Sequence, residues 1–260
     1  FMGAPSPDGK YVTYVDWQNF ANLGVHDLVT GENRLLTDIK TWEGGEMCYY
    51  SVFSPDGGRI AYTWQTKEML IQLRTINLDG SSVRVLHDGT GVKFQQPVGW
   101  TADGKQVLTV CWGKDDSVRI AFVSAIDGSV QDVKVLSVKL PRTTRMSLSP
   151  DGKYLAINYL PRQDSANCDI LILAREGGAE STLIEHPADD IVLGWSPNGS
   201  QVFFTSDRTG IIGVWRVIVA EGKAKGVPEL VRGDMGNVRP LGMTPDGKLY
   251  YGIYTGWSDI

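Results

Sequence analysis

Residues able to do chemistry are few in this chain, and their spacing argues against catalysis. The three histidines, His26, His87 and His186, stand far apart, and none falls in the His-x-x-x-His or Cys-x-x-Cys spacing that zinc coordination favours. Asp8, Asp56, Asp103, Asp151 and Asp246 each fill the third position of a Ser/Thr-Pro/Ala-Asp-Gly tetrapeptide. An aspartate placed there caps the backbone of its own turn. Turns spread along one rim cannot converge on a single ion, and no EF-hand-like aspartate ladder is present. The run Gly194-Trp195-Ser196-Pro197-Asn198-Gly199 looks superficially like a Gly-x-Ser-x-Gly nucleophile elbow. Its spacing is wrong, and Pro197 has no N–H to offer an oxyanion. No Gly-x-x-x-x-Gly-Lys-Ser/Thr phosphate loop occurs either. The chain is therefore expected to be non-enzymatic, with no cofactor and no metal.

The same tetrapeptides set the architecture. They start at Ser6, Ser54, Thr101, Ser149, Ser196 and Thr244, at intervals of 48, 47, 48, 47 and 48 residues. A period of this length marks one supersecondary unit stacked on copies of itself. Each turn is followed by a short run rich in β-branched and aromatic residues, such as Tyr11-Val12-Thr13-Tyr14-Val15 or Gln201-Val202-Phe203-Phe204-Thr205. Proline presets the first turn torsion, and Asp/Asn-Gly supplies the positive φ of a tight hairpin. A large apolar residue precedes most turns (Phe53, Trp100, Leu148, Trp195, Met243), with a small or β-branched residue before it. Third strands (Leu70–Ile76, Ile170–Leu173) and short fourth strands (Arg34–Leu36, Arg84–Leu86) complete the repeat. The expectation is all-β: one domain over residues 1–260, a six-bladed β-propeller of four-stranded antiparallel blades. No segment carries a 3.6-residue apolar stripe over three turns.

These repeats resemble the TolB-type propeller repeat of bacteria: an apolar residue or Trp, Ser-Pro-Asp-Gly-Lys, a strand, then Ser-Asp-Arg. The fullest copy joins Trp195-Ser196-Pro197-Asn198-Gly199 to Ser206-Asp207-Arg208-Thr209-Gly210. The resemblance spans essentially the whole chain. It implies the propeller fold and a periplasmic or other extracytoplasmic location, and it is unspecific for function. Only five residues precede the first turn, and the last repeat ends where its third strand should start, so the sixth blade is expected to be incomplete and the chain to be part of a longer protein.

Among the 260 residues, 42% are hydrophobic and the net charge is −5, with no basic run. Nucleic-acid binding, which needs a positive footprint, is not expected. No apolar run approaches the roughly 20 residues of a membrane span, so no membrane insertion is expected. Cys48, Cys111 and Cys168 fall in three different repeats, an odd and scattered set that reads as small buried residues rather than a disulfide framework.

A ligand is expected on the face opposite the Ser-Pro-Asp-Gly turns, where loops are longer and less uniform. Second strands end there in Trp17, Trp64, Trp112 and Tyr159, with Tyr254 and Trp257 near the matching place in the last repeat; Trp42 and Phe94 are placed in blade-to-blade loops. Such rings either stack on a ligand or pack between blades. Arg142, Arg145, Arg162, Arg208, Arg232 and Arg239 crowd the second half, while Asp38, Glu43, Glu46, Asp115 and Asp116 lie on equivalent loops of the first. Either this polarity orients an anionic group, or the arginines pair locally with Asp164, Asp189, Asp190, Asp207 and Asp234. Inner-strand residues nearest the mouth are Tyr49, Tyr50, Gln96, Arg145, Asp190 and Arg239. Two roles follow: a non-catalytic sensor or interaction propeller for a peptide, protein or glycan, or the substrate-filtering propeller of a serine peptidase whose catalytic domain lies elsewhere.

Overall fold

A computed structural model describes residues 3–141, 144–162, 164–176, 178, 180–236 and 238–253. The described chain is all-β and consists of six successive antiparallel sheets. It divides into two compact units, Phe1–Ser137 with Arg175–Gly177, and Val138–Ala174 with Gly178–Ile260.

The first unit holds three sheets. Sheet one is β1 (Tyr11–Asp16), β2 (Asn22–Asp27) and β3 (Asn33–Leu35). Sheet two is β4 (Met47–Phe53), β5 (Arg59–Gln65), β6 (Ile71–Asn77) and β7 (Arg84–His87). Sheet three is β8 (Val92–Trp100), β9 (Gln106–Gly113), β10 (Val118–Ser124) and β11 (Val130–Val135). The second unit holds β12 (Met146–Leu148), β13 (Tyr154–Tyr159), β14 (Asp169–Ala174) and β15 (Ser181–Ile184), then β16 (Ile191–Trp195), β17 (Gln201–Ser206), β18 (Gly213–Ala220) and β19 (Lys223–Arg232), then β20 (Val238–Met243) and β21 (Leu249–Ile253). Among the described residues, four sheets have four strands, the first has three and the last two. Among the described residues, Pro5 bridges Val12 of β1 in antiparallel fashion.

The turn chemistry explains the hairpins. In every copy the Ser or Thr hydroxyl donates to the third residue of the turn at 2.5–2.7 Å. In the second copy Asp56 Oδ1 also accepts from the N–H of Gly58 at 3.0 Å, and Ser54 Oγ accepts from the N–H of Arg59 at 2.9 Å. The closing glycine holds φ between 65° and 85° in all six turns, a region costly for other L-residues. The aspartates therefore cap their own turns, and those hydrogen bonds hold the carboxyls of Asp8, Asp56, Asp103 and Asp151 below their usual range, while Asp246 is lowered first by the Lys248 side chain and then by Thr244.

Cores form between consecutive sheets. In the first unit Leu23, Val25 and Leu36 of sheet one pack with Cys48, Phe53, Ile60, Tyr62 and Trp64 of sheet two. In the second, Ile170, Ile172 and Ile184 pack with Trp195, Val202, Phe204 and Val217. The cysteines are free and buried, as the scattered spacing implied. Burial pushes their thiols up to about 12 for Cys48 and Cys111 and about 11 for Cys168, so at neutral pH they are inert protonated packing groups.

Candidate functional site

Within each unit, the loops joining second to third strands, and sheet to sheet, lie at the strand ends opposite the Asp-Gly turns. In the first unit this face carries a continuous path of aromatic rings. Trp17, just past the end of β1, meets Tyr49 of β4 with ring centroids 6.4 Å apart. Tyr49 meets Phe94 at 5.5 Å, and Phe94 meets Trp112 of β9 at 5.9 Å. Tyr50 approaches the same Phe94 at 5.9 Å. The first three of these contacts and the Tyr50 contact range from edge-on to tilted, the arrangements that aromatic quadrupoles favour. Phe94 lies inside β8 rather than in a blade-to-blade loop, which is why it can bridge sheets two and three. Trp42 does lie in such a loop, against Phe20.

Tyr49 anchors the path. Its Oη lies 3.1 Å from Gln65 Oε1 and 2.9 Å from Met47 Sδ, and partial burial raises its phenol above the ordinary value. Gln65 Nε2 in turn donates to the carbonyl of Gly45 at 2.8 Å, tying the β3–β4 loop to the end of β5.

Trp64 is not part of this surface, contrary to the expectation. It is 8% exposed, packs in the core between sheets one and two, and carries the Arg74 guanidinium over its ring at 4.6 Å. The reason is strand alternation. Trp17 and Trp112 stand eleven residues after the start of their turns, whereas Trp64 stands ten after Ser54. One residue of offset turns a strand side chain to the opposite face. Tyr159, ten after Ser149, shares the Trp64 register and ends β13 half-buried in the second unit. Gln96 is likewise buried, in the middle of β8.

In the second unit two of the expected anion-binding arginines, Arg145 and Arg208, are engaged by the protein itself. Arg145 donates Nη1 to the carbonyl of Leu241 at 3.0 Å and Nη2 to the carbonyl of Pro240, tying the start of β12 to β20. Arg208 Nη2 pairs with Asp190 Oδ1 at 2.8 Å, with the Asp190 side chain fully buried. Its Nε donates to Ser206 Oγ at 2.9 Å, and its guanidinium lies between the rings of Phe204 and Trp215, 5.2 and 4.8 Å from their centroids. Asp207 accepts the N–H of Asp189 at 3.0 Å. Local pairing with an aspartate therefore holds for Arg208, whereas Arg145 is engaged by distant backbone carbonyls. Burial raises the carboxyl of Asp190 despite Ser206 and Arg208, and raises that of Asp169 beside it. Arg142, Tyr254, Trp257 and the side chain of Arg239 lie outside the described residues.

The sheet plan defines the class: a β-propeller. Among solved structures, the chain is similar to TolB from Acinetobacter baumannii, with a TM-score of 0.63 and 21% identity over 90% of this chain and 55% of that one. A protein assigned as TolB from Agrobacterium tumefaciens matches with a TM-score of 0.66 and 18% identity, over 96% of this chain and 87% of that one. A prolyl endopeptidase matches at 0.62 and 17% identity, over 94% of this chain and 38% of that one. This chain thus spans about half the length of the Acinetobacter TolB (55%) and less of the endopeptidase. No protein-family model matches it. At these identities the likeness establishes the fold alone.

Proposed function

We propose that this chain is a non-catalytic binding propeller, the sensor or interaction part of a larger bacterial protein of the periplasm, and that it takes a peptide, protein or glycan on the loop face of its first unit. One observation carries the reading: rings from three successive sheets, Trp17, Tyr49, Phe94 and Trp112, form one connected path with Trp17 45% exposed at its end. Connected aromatics offer large, rigid contact area at low entropic cost, which suits recognition of apolar side chains and sugar faces. The similarity to TolB structures supports the extracytoplasmic placement. The engaged arginines count against an anionic ligand in the second unit.

The test is a pool of short peptides and oligosaccharides titrated against the protein and against Trp17→Ala and Trp112→Ala. Saturable binding that weakens by about 10-fold or more in either variant is expected, as for an aromatic hot spot. Binding indifferent to both substitutions would remove the aromatic path as the site.

A second reading, a propeller that filters substrates for a serine peptidase, is favoured by the fold match to a prolyl endopeptidase over 94% of this chain. An α/β-hydrolase segment with a Gly-x-Ser-x-Gly elbow in the same gene would select it; a signalling kinase or DNA-binding segment would select the first.

A further inference from the structure

Beside the ring path, three successive loops of the first unit hold large apolar side chains outward. Trp17, 45% exposed, lies in the β1–β2 loop, Trp42, 46% exposed, in the β3–β4 loop, and Met69, 65% exposed, in the β5–β6 loop. They belong to one built surface. The Trp42 ring meets Phe20 edge-on at 5.8 Å. The N–H of Gly45 donates to the carbonyl of Trp42 at 3.0 Å, and the carbonyl of Gly45 accepts from Gln65 Nε2. That same Nε2 lies 3.3 Å from Met69 Sδ. Gln65 then reaches Tyr49, whose ring leads to Trp17. The β3–β4 loop is thus pinned between its two neighbours. Phe20 and Met69 hold φ of 56° and 62°, uncommon for bulky residues, and Met69 gains no burial from it.

The charge around these rings is one-sided. The three loops and their flanks carry five carboxylates, Asp16, Asp38, Glu43, Glu46 and Glu68, against two lysines. Lys40 pairs with Asp38, and Lys67 lies 3.7 Å from Glu46. Asp16 accepts from the backbone of Gln18 and Asn19. Glu43 and Glu68 are exposed and have no ion pair among the described residues.

We infer that this patch docks a cationic, apolar segment of a partner protein, with aromatic or branched side chains laid on Trp17, Trp42 and Met69 and flanking lysines or arginines set against Glu43 and Glu68. The inference rests on the proposed binding role and adds the chemistry of the partner. Charge complementarity selects this occupant. An anionic membrane surface or an acidic peptide would face the carboxylates with like charge, and so would a second copy of this chain, at net charge −5. A neutral glycan would use the rings and leave the carboxylates without a role. Trp and Met are enriched at interface cores, and the flexible thioether adapts to the partner's shape.

The experiment uses three fluorescent dodecapeptides of equal Trp and Leu content, bearing lysines, glutamines or glutamates, titrated by anisotropy at low and high salt. The lysine peptide is expected to bind about 10-fold or more tighter than the glutamate peptide, with the preference shrinking as salt screens it. Glu43→Gln with Glu68→Gln should erase the preference without weakening the glutamine peptide, and Trp42→Ala should weaken all three. Equal affinity of the three peptides, still dependent on Trp17, would overturn the cationic partner and leave the binding face standing. No binding of the lysine peptide, with an oligosaccharide bound through Trp17 and Trp112, would do the same. Loss of every ligand, peptide and sugar alike, would overturn both.

Discussion

The indole N–H of Trp195 donates to the backbone carbonyl of Ser147 at 3.0 Å, and the two residues stand 48 positions apart, one repeat period. Trp100 makes the same bond to the carbonyl of Val52 at 3.3 Å, again across 48 residues. In these two turns the indole therefore satisfies a carbonyl on the inner strand of the preceding sheet. Trp195→Ala should cost ~3–5 kcal/mol as a large-to-small core change. Trp195→Phe keeps most of the volume and loses the hydrogen bond, so it should cost about 1–3 kcal/mol, the penalty for a buried polar group left without its partner. Urea unfolding of the two variants would read both; an alanine variant as stable as the parent would mean that Trp195 does not lock these sheets.

Arg208 and Asp190 give a prediction whose sign depends on pH. Burial raises the Asp190 carboxyl above 3.8, and Arg208 pulls the other way. A group with a raised folded pKa binds its proton more tightly in the folded state. Its contribution to stability therefore falls as pH climbs from 3.8 through the raised value. Arg208→Met removes the cation and leaves a buried carboxylate alone, which should cost ~3–5 kcal/mol near neutral pH. The loss should shrink as the pH falls through the raised value and Asp190 takes up its proton. Melting temperatures of parent and variant across that range would show the curves converging at acid pH; parallel curves would mean that Asp190 does not titrate with folding.

The turn aspartates have the opposite sign. Hydrogen bonds, from Ser54 first and then the N–H of Gly58, lower Asp56 below 3.8; in Asp8, Asp103 and Asp151 the turn hydroxyl also leads, while in Asp246 the Lys248 side chain leads and Thr244 follows. Their stabilisation is present above 3.8 and is lost as pH falls through the lowered values. The fifth turn is an internal control, because Asn198 makes the same bonds to Ser196 Oγ at 2.7 Å and to the N–H of Ser200 at 3.1 Å without a titrating proton. Asp56→Asn should thus stay within about 0.5 kcal/mol of the parent at neutral pH and lessen the acid loss. Asp56→Ala should cost about 1 kcal/mol for the broken turn network. Circular dichroism melts through the acid limb would separate the two, and identical acid limbs for Asp56→Asn and the parent would exclude the turn carboxylates as its cause.

Much of the fold is legible because hairpin chemistry is local. Ser-Pro-Asp-Gly dictates a turn from four residues, and the two-residue alternation after it dictates which face of the sheet each side chain takes. The partners of Arg145 were not legible, since the carbonyls of Pro240 and Leu241 lie 95 and 96 residues away and no charge pattern marks a backbone acceptor. The Asp190–Arg208 pair was half legible: both carriers of charge were visible, and their mutual engagement, 18 residues apart, needed the β16–β17 hairpin to bring them together. Phe94 was misplaced for a related reason, because β8 starts at Val92, well before the apolar run that announces the other inner strands.

The Trp17–Trp64 contrast is the case where the signal was present and counting from the turn would have found it. Trp64 has the core register and Trp17 the surface one, so the two indoles should separate stability from binding. Trp64→Ala opens a cavity among Leu23, Val25 and Tyr62 and strips the ring beneath Arg74, which should cost ~3–5 kcal/mol. Trp17→Ala loses one edge-on contact with Tyr49, which should cost about 1 kcal/mol or less, while taking away an exposed face of the proposed binding surface. Paired measurements of urea midpoint and ligand affinity should therefore move one axis for each variant. A Trp64→Ala protein that folds like the parent but no longer binds would invert the assignment, placing the Trp64 ring in the site and Trp17 outside it.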